Sequence, residues 1–176
     1  HGFQIWVNLP AEHKMMAPRY QEIPEADSPT IERDGVWARV IAGECLGVTS
    51  SIDTVIPISL IHLRMEEGAV LNQKIASGLN GMIYVFSGSV RVNDQLSVRT
   101  QPMPFGIGVK QQVSDGELAL LSDGESVEII CDSPCDLLIL AGPEINEPIA
   151  RYGPFVMNTR EEIHQAVIDY QNGTFA

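Results

Sequence analysis

GAVLNQKIASGLNGMIYVFSG, residues 68–88, is the stretch from which the fold is read. Inside it Met82-Ile83-Tyr84-Val85-Phe86 is a short aromatic and β-branched run, closed by Ser87-Gly88 as a strand feeding a tight turn would be. Ser89-Val90-Arg91-Val92-Asn93 then alternates polar and apolar, the pattern of the returning strand of a hairpin. The reading is β structure, with a turn expected at Gly88.

The rest of the chain is compatible with one domain built around that hairpin. Its 176 residues suffice to bury a core, and 44% apolar with 19% charged residues is a globular balance. No apolar run reaches the ~20 residues of a membrane span. Eleven basic against 23 acidic residues leave a net charge of −12, which repels phosphate backbones and excludes direct nucleic-acid binding without a basic patch. Three cysteines, an odd number, do not make a disulfide framework, and a reduced cytoplasmic setting accounts for them. Cys131 and Cys135 flank a Ser-Pro turn without a histidine nearby, a poor zinc site.

From the N-terminus, Phe3 to Leu9 is apolar enough for a buried strand ending at Pro10. The start, His1-Gly2-Phe3, resembles a cut end rather than a signal segment. Residues 11–29, with Pro18, Pro24 and Pro29, read as an extended surface linker in which His13, Lys14 and Arg19 are solvated. From Ile31 short strands follow one another: Val36 to Ala42, then Val55 to Arg64, where His62 lies in a mostly apolar stripe. Thr100 to Gln112, rich in proline and glycine, reads as a long loop, a lid or an insertion. Asp115-Gly116 and Asp123-Gly124 punctuate the chain, and Leu118 to Leu121, Val127 to Cys131 and Leu137 to Ala141 supply further strands. Near-regular short strands with turn dipeptides predict an antiparallel sandwich or barrel.

The C-terminal segment predicts a helix. Thr159 and Glu162 form a capping box, Glu161 favours the first turn, and Asn172-Gly173 ends the element. Ile163, Ala166, Val167 and Tyr170 make an apolar stripe that must pack on a barrel or a partner surface, with His164 beside it in solvent.

The spacing in the opening stretch resembles the first metal motif of cupins: Gly, five residues, His, one, His, four, Glu, six, Gly. That frame lands on Gly68, Lys74, Ala76, Gly81 and Gly88, so the glycines hold and the ligands are replaced by Lys74, Ala76 and Gly81. The second motif reads Gly, five residues, Pro, one, Gly, two, His, three, Asn. Begun at Gly124, it places Cys135 at the histidine. One thiolate does not make a metal site.

More specifically, the chain closely resembles the pirin family through HGFQIWVNLP at 1–10, KMMAPRYQ at 14–21, VIAGECLG at 40–47, GMIYVFSGSV at 81–90, ILAGPEINEP at 139–148 and YGPFVMNTREEI at 152–163. The resemblance implies an all-β, cupin-type antiparallel β-barrel (a double-stranded β-helix, jelly-roll-like) with a C-terminal helix. It also implies a division into 1–30 (the last strand of a first barrel, and a linker), 31–150 (a second barrel) and 151–176 (helix and tail). In pirins three histidines and a glutamate hold iron in the first barrel; by resemblance those ligands precede His1, so none is carried onto this chain. The resemblance implies a non-catalytic C-terminal half of an iron-dependent, two-barrel parent, acting as a quercetin 2,3-dioxygenase, a transcription co-regulator, or both. The alternatives are a small-molecule pocket in the second barrel and a protein-interaction module. The expected partners are the first barrel, a second copy, or another protein, with no nucleic acid and no membrane. Phe3, Ile5 and Trp6, with Ile163, Val167 and Tyr170, are the expected interface residues, and an unpaired edge at Phe3–Trp6 would favour self-association.

Overall fold

The strands that the sequence divides turn out to be long and bent. In the computed structural model, which describes residues 2–92, 99–101, 108–109 and 111–175, the early strands are β1 (Thr30–Arg33), β2 (Val36–Ala42), β3 (Glu44–Cys45), β4 (Val48–Thr49) and β5 (Ser59–Met65). They are followed by β6 (Val70–Lys74), β7 (Leu79–Val92), β8 (Arg99–Gln101), β9 (Gly108–Val109), β10 (Gln112–Ser114) and β11 (Leu118–Leu120). The chain ends with β12 (Ser126–Pro143), β13 (Ala150–Tyr152), β14 (Phe155–Met157) and helix α1 (Arg160–Asn172). The main sheet runs β1-β2-β5-β12-β7-β11-β8-β9, with β6 against β12 and β10 against β7, and its described pairings are antiparallel. That path does not close on itself among the described residues.

Alternation builds the core. Val36, Ala38, Val40 and Ala42 of β2 point inward, as do Ile61, Leu63 and Met65 of β5, Ile83 and Val85 of β7, and Leu137 and Ile139 of β12. The β1–β2 connection is a two-residue turn in which Asp34 (φ 51°) and Gly35 (φ 75°) are both left-handed, the geometry that matches strand twist.

Two expectations need correcting here. Gly88 does not turn a hairpin: β7 continues through it to Val92, and its left-handed φ of 74° bends the strand. The segments Val127–Cys131 and Leu137–Ala141 are likewise parts of one strand, β12, whose register against β7 shifts between Cys131 and Leu137. The two bends face each other. A Cβ on Gly88 would lie 2.2 Å from the Pro134 carbonyl oxygen, so only glycine lets the strands meet there.

The chain folds as two compact units, Glu22–Glu144 and a second made of His1–Gln21 with Ile145–Ala176. The expected three-way division had no means of seeing the second of these, because its glue joins residues far apart in sequence. The Glu147 carboxylate accepts from the Ala11 backbone N–H (2.8 Å) and from the Asn158 side-chain amide (2.8 Å). The Lys14 ammonium donates to Asn8 Oδ1 (2.9 Å) and to the Leu9 carbonyl, so Lys14 is not the solvated linker residue its surroundings suggested. The Phe3–Leu9 strand is also absent: residues 2–10 carry no ladder, and Phe3 and Trp6 are 47% and 57% exposed. A strand needs a neighbouring strand to form a ladder, and no strand among the described residues pairs with that segment. In the same unit α1 packs on the β13–β14 hairpin with Ala166 buried and the Tyr170 and Phe155 rings 5.8 Å apart. Ile163 and Val167 are half-buried, while Tyr170 is exposed.

The interior of the proline-rich loop at 100–112, residues 102–107 and 110, lies outside the described residues; β8 and β9 pair on either side of it.

Candidate functional site

Where a metal motif would place its ligands is a question of pleat as well as of spacing. On β6 and just beyond it Leu71, Gln73 and Ile75 are buried, while Asn72, Lys74 and Ala76 are exposed. Lys74 and Ala76, on which the motif frame lands, therefore face outward, and the inward neighbours are Gln73 and Ile75. One residue of offset exchanges every side chain between faces. Gly81, the frame's glutamate position, does face inward, and the Leu121 side chain fills the space a Cβ there would enter (2.9 Å).

The second frame can be begun at either turn dipeptide. Begun at Gly116 instead of Gly124, it puts Gly124 on the motif's second glycine and Val127 on the histidine position. Val127 is fully buried and lies across the β6–β12 ladder from Gln73. Cys135, by contrast, sits opposite Met65, beside the bend at Gly88. The inward set is thus Gln73, Ile75, Gly81 and Val127. It supplies one amide and no imidazole or carboxylate, which does not fit iron or any other metal that wants nitrogen and oxygen ligands. Gln73 is committed as well, its Nε2 donating to the carbonyls of Glu44 (2.8 Å) and Lys74 (2.9 Å) and tying the β3–β4 hairpin to β6. Among the described residues no group of three or more histidine, cysteine or acidic side chains converges as a metal site.

Beside Gln73 a cleft of about 960 Å³ opens, walled by Leu46, Ile58, Ile75 and Leu79, with Glu44, Lys74 and Glu125 among its charged residues. Its lining mixes apolar side chains with both signs of charge.

His62 belongs to a different surface. It is half-buried on the outward face of β5, its Nε2 3.0 Å from Asp136 Oδ1, which also accepts from Arg64 Nε at 3.1 Å. Its ring packs edge-on to Trp37 (5.3 Å) and against Phe86 (5.6 Å), while the Arg39 and Arg64 guanidiniums lie over Trp37 at 5.5 and 4.9 Å. Sequence alternation assigns that stripe to one face, but the partner Asp136 is 74 residues away and had no local signal.

All three cysteines are buried and free. Burial pushes the Cys45 thiol up to about 11 and raises Cys131 and Cys135 too, so none is a ready thiolate nucleophile.

The second unit holds the local signal that sequence reads best. Thr159 Oγ1 accepts from the Glu162 N–H (3.2 Å), and the Glu162 carboxylate accepts from the N–H groups of Asn158 (2.8 Å) and Thr159 (2.9 Å). The Asn158 bond first and the Thr159 bond next hold that carboxyl below its ordinary 4.5. A lowered folded pKa means stability that is present above the ordinary value and lost as pH falls through the folded one. Acidification below 4.5 is therefore expected to release the Asn158 and Thr159 amides together, followed as their NMR shifts. Glu162→Gln should abolish that joint titration while Thr159→Ala costs about 1 kcal/mol; amides that move at another pH, or separately, contradict it.

A mostly antiparallel, cupin-type β domain with a C-terminal helix is the class these elements define. The family model described as the pirin C-terminal cupin domain matches residues 60–176, and the chain belongs to the pirin family. The pirins of Mus musculus and Homo sapiens are each 35% identical to it over 174 residues, covering 98% of this chain and 56% of the relative. A crystal structure of quercetin 2,3-dioxygenase from Acinetobacter baumannii superposes with a TM-score of 0.81 at 32% identity, covering 97% of this chain and 55% of that one. The chain thus spans somewhat over half the length of the relatives it matches. No helix among the described residues is long and apolar enough to cross a membrane.

Proposed function

We propose that this chain is the non-catalytic, structural half of an iron-dependent two-barrel pirin-like protein, of the quercetin 2,3-dioxygenase type, the transcription co-regulator type, or both. The observation that carries the reading is the inward quartet Gln73, Ile75, Gly81 and Val127, which brings no iron ligands to the place a cupin motif would put them. Iron and dioxygen chemistry then belong to the remainder of the parent. The family's signature stretches favour the same reading, because Asn8, Lys14, Glu147, Asn158 and Glu162 are engaged in holding a unit together. Phe3, Ile5, Trp6 and Tyr170 give that unit an exposed apolar surface on which the rest of the parent, or a second copy, would seat. Three reduced cysteines suit a cytoplasmic setting.

The test is metal content. The chain equilibrated with iron(II) and freed of excess should retain far less than one iron per chain by elemental analysis. One equivalent would overturn the reading and direct attention to His62 and Cys135.

The cleft beside Gln73 supports a second reading, a small-molecule-binding module. A compound that raises the melting temperature of the wild-type chain but not of a Lys74→Glu variant would favour it over the purely structural role.

A further inference from the structure

We infer that Cys131 and Cys135 form a dithiol–disulfide pair, a site of reversible oxidation built into the bend of β12. Their sulfurs are 3.4 Å apart, already in van der Waals contact, and Cys131 Sγ also lies 3.0 Å from the Ser133 carbonyl oxygen. Closing the bond asks for a movement of little more than an ångström, toward the ~2.05 Å of a disulfide.

The backbone around the pair can supply that movement. The β12–β7 register slips between Cys131 and Ser133, between Ser133 and Asp136, and again between Asp136 and Leu137. Such bulged stretches leave residues out of the ladder. The backbone of Cys131 is fixed from outside this stretch, bonded to Ala69 and Gly68 at 2.9 Å each, and Cys135 is in register with Met65 of β5, so the adjustment falls on residues 132–134 and on the two side chains. Pro134, between the two buried cysteines in the chain, is exposed. A bond between them would staple the part of β12 that pairs with β6 to the part that pairs with β5.

The oxidant is a hydroperoxide, small enough to reach the sulfurs. The contact between the two thiols is symmetric, either sulfur being able to donate, so Cys131 can attack first and Cys135 can take the same role. When the Cys131 sulfur attacks the peroxide, an S–O bond forms as O–O breaks, and water leaves. The Cys135 sulfur then displaces the sulfenic oxygen, forming S–S and releasing a second water. The sulfur pair loses two electrons and two protons to one hydrogen peroxide. Burial, which raises both thiols, makes the first step slow and the pair unreactive toward chance nucleophilic chemistry.

Trypsin offers a direct readout, since residues 111–151 contain no internal lysine or arginine, both cysteines of the pair, and not Cys45. The full chain would be treated with hydrogen peroxide, denatured, and its remaining thiols alkylated. The expected result is one alkylated cysteine, Cys45, out of three, and a 111–151 peptide lighter by two hydrogens that a dithiol reductant restores. Cys45→Ser should leave that peptide shift intact, and Cys131→Ser should remove it. Three surviving thiols, oxygen added to the peptide in place of hydrogen loss, or a cross-link to the Cys45 peptide would each overturn the assignment, and all are read on the wild-type chain.

Discussion

Gly88→Ala should destabilise the chain by about 4 kcal/mol, seen as a fall in the urea midpoint with an unchanged slope. Two independent costs add at this position. The left-handed backbone, φ 74°, costs an L-residue roughly 1–2 kcal/mol. The new methyl would also sit 2.2 Å from the Pro134 carbonyl oxygen and 2.9 Å from Cys135 Cβ, the first of these a backbone atom that yields only if the β12 bulge moves. Gly68→Ala is the control. Its φ is 82°, but nothing lies within 4 Å of the added Cβ, so only the conformational cost of about 1 kcal/mol applies. If the two variants lose the same amount, Gly88 matters for its dihedral alone and the close meeting of β7 and β12 is not what holds it.

Val127→His should cost about 2–4 kcal/mol at pH 8 and more at pH 5.5, with no recovery on adding iron(II). Val127 is fully buried, across the ladder from Gln73, so an imidazole there is both oversized and short of hydrogen-bond partners. Burial disfavours the imidazolium, putting the folded pKa below the unfolded ~6.5. The unfolded chain then binds more protons at low pH, and stability drops as pH falls through ~6.5. Iron should not rescue the variant because Ile75 and Gly81 offer no side-chain donor and the amide of Gln73 is engaged with Glu44 and Lys74. A midpoint that rises with iron would mean that this interior still accepts a metal once one ligand is restored.

How far such a site can be read in advance depends on whether its signal is local. Thr159 and Glu162 announce the helix start because the capping residues are three apart, and the structure has both halves of the box. Strand β2 is equally plain, its four buried residues alternating without interruption. The metal frame was legible as spacing but not as geometry. A count of residues from Gly68 reaches Lys74, whereas the pleat turns Gln73 and Ile75 inward, and nothing in the count registers which face a residue takes. The second frame had two possible starts, Gly116 and Gly124, and only the β6–β12 register distinguishes Val127 from Cys135 as the inward position near Gln73. Ser87-Gly88 reads as a turn because a left-handed glycine serves turns and bends alike. The pairs His62–Asp136 and Glu147–Ala11 lie 74 and 136 residues apart, whereas Lys14 is held by Leu9 and Asn8, five and six residues back, in a stretch whose composition is that of a strand.

The position of β12 along the chain also has a consequence for how the protein comes into being. Ser126–Ile130 pair with Lys74–Val70, Cys135–Ala141 pair with Met65–Ser59, and the same strand zips along most of β7. On a chain emerging from its N-terminal end, β5 and β6 are made long before the strand that stands beside them. Until about residue 143 is free, their backbone groups have no β12 to pair with, and loops of some 50 to 80 residues must close at once. Folding is therefore expected to be slow and to begin late, in a burst set by the arrival of one strand. The half-made chain, with its apolar inward faces open, is the form most in need of a chaperone.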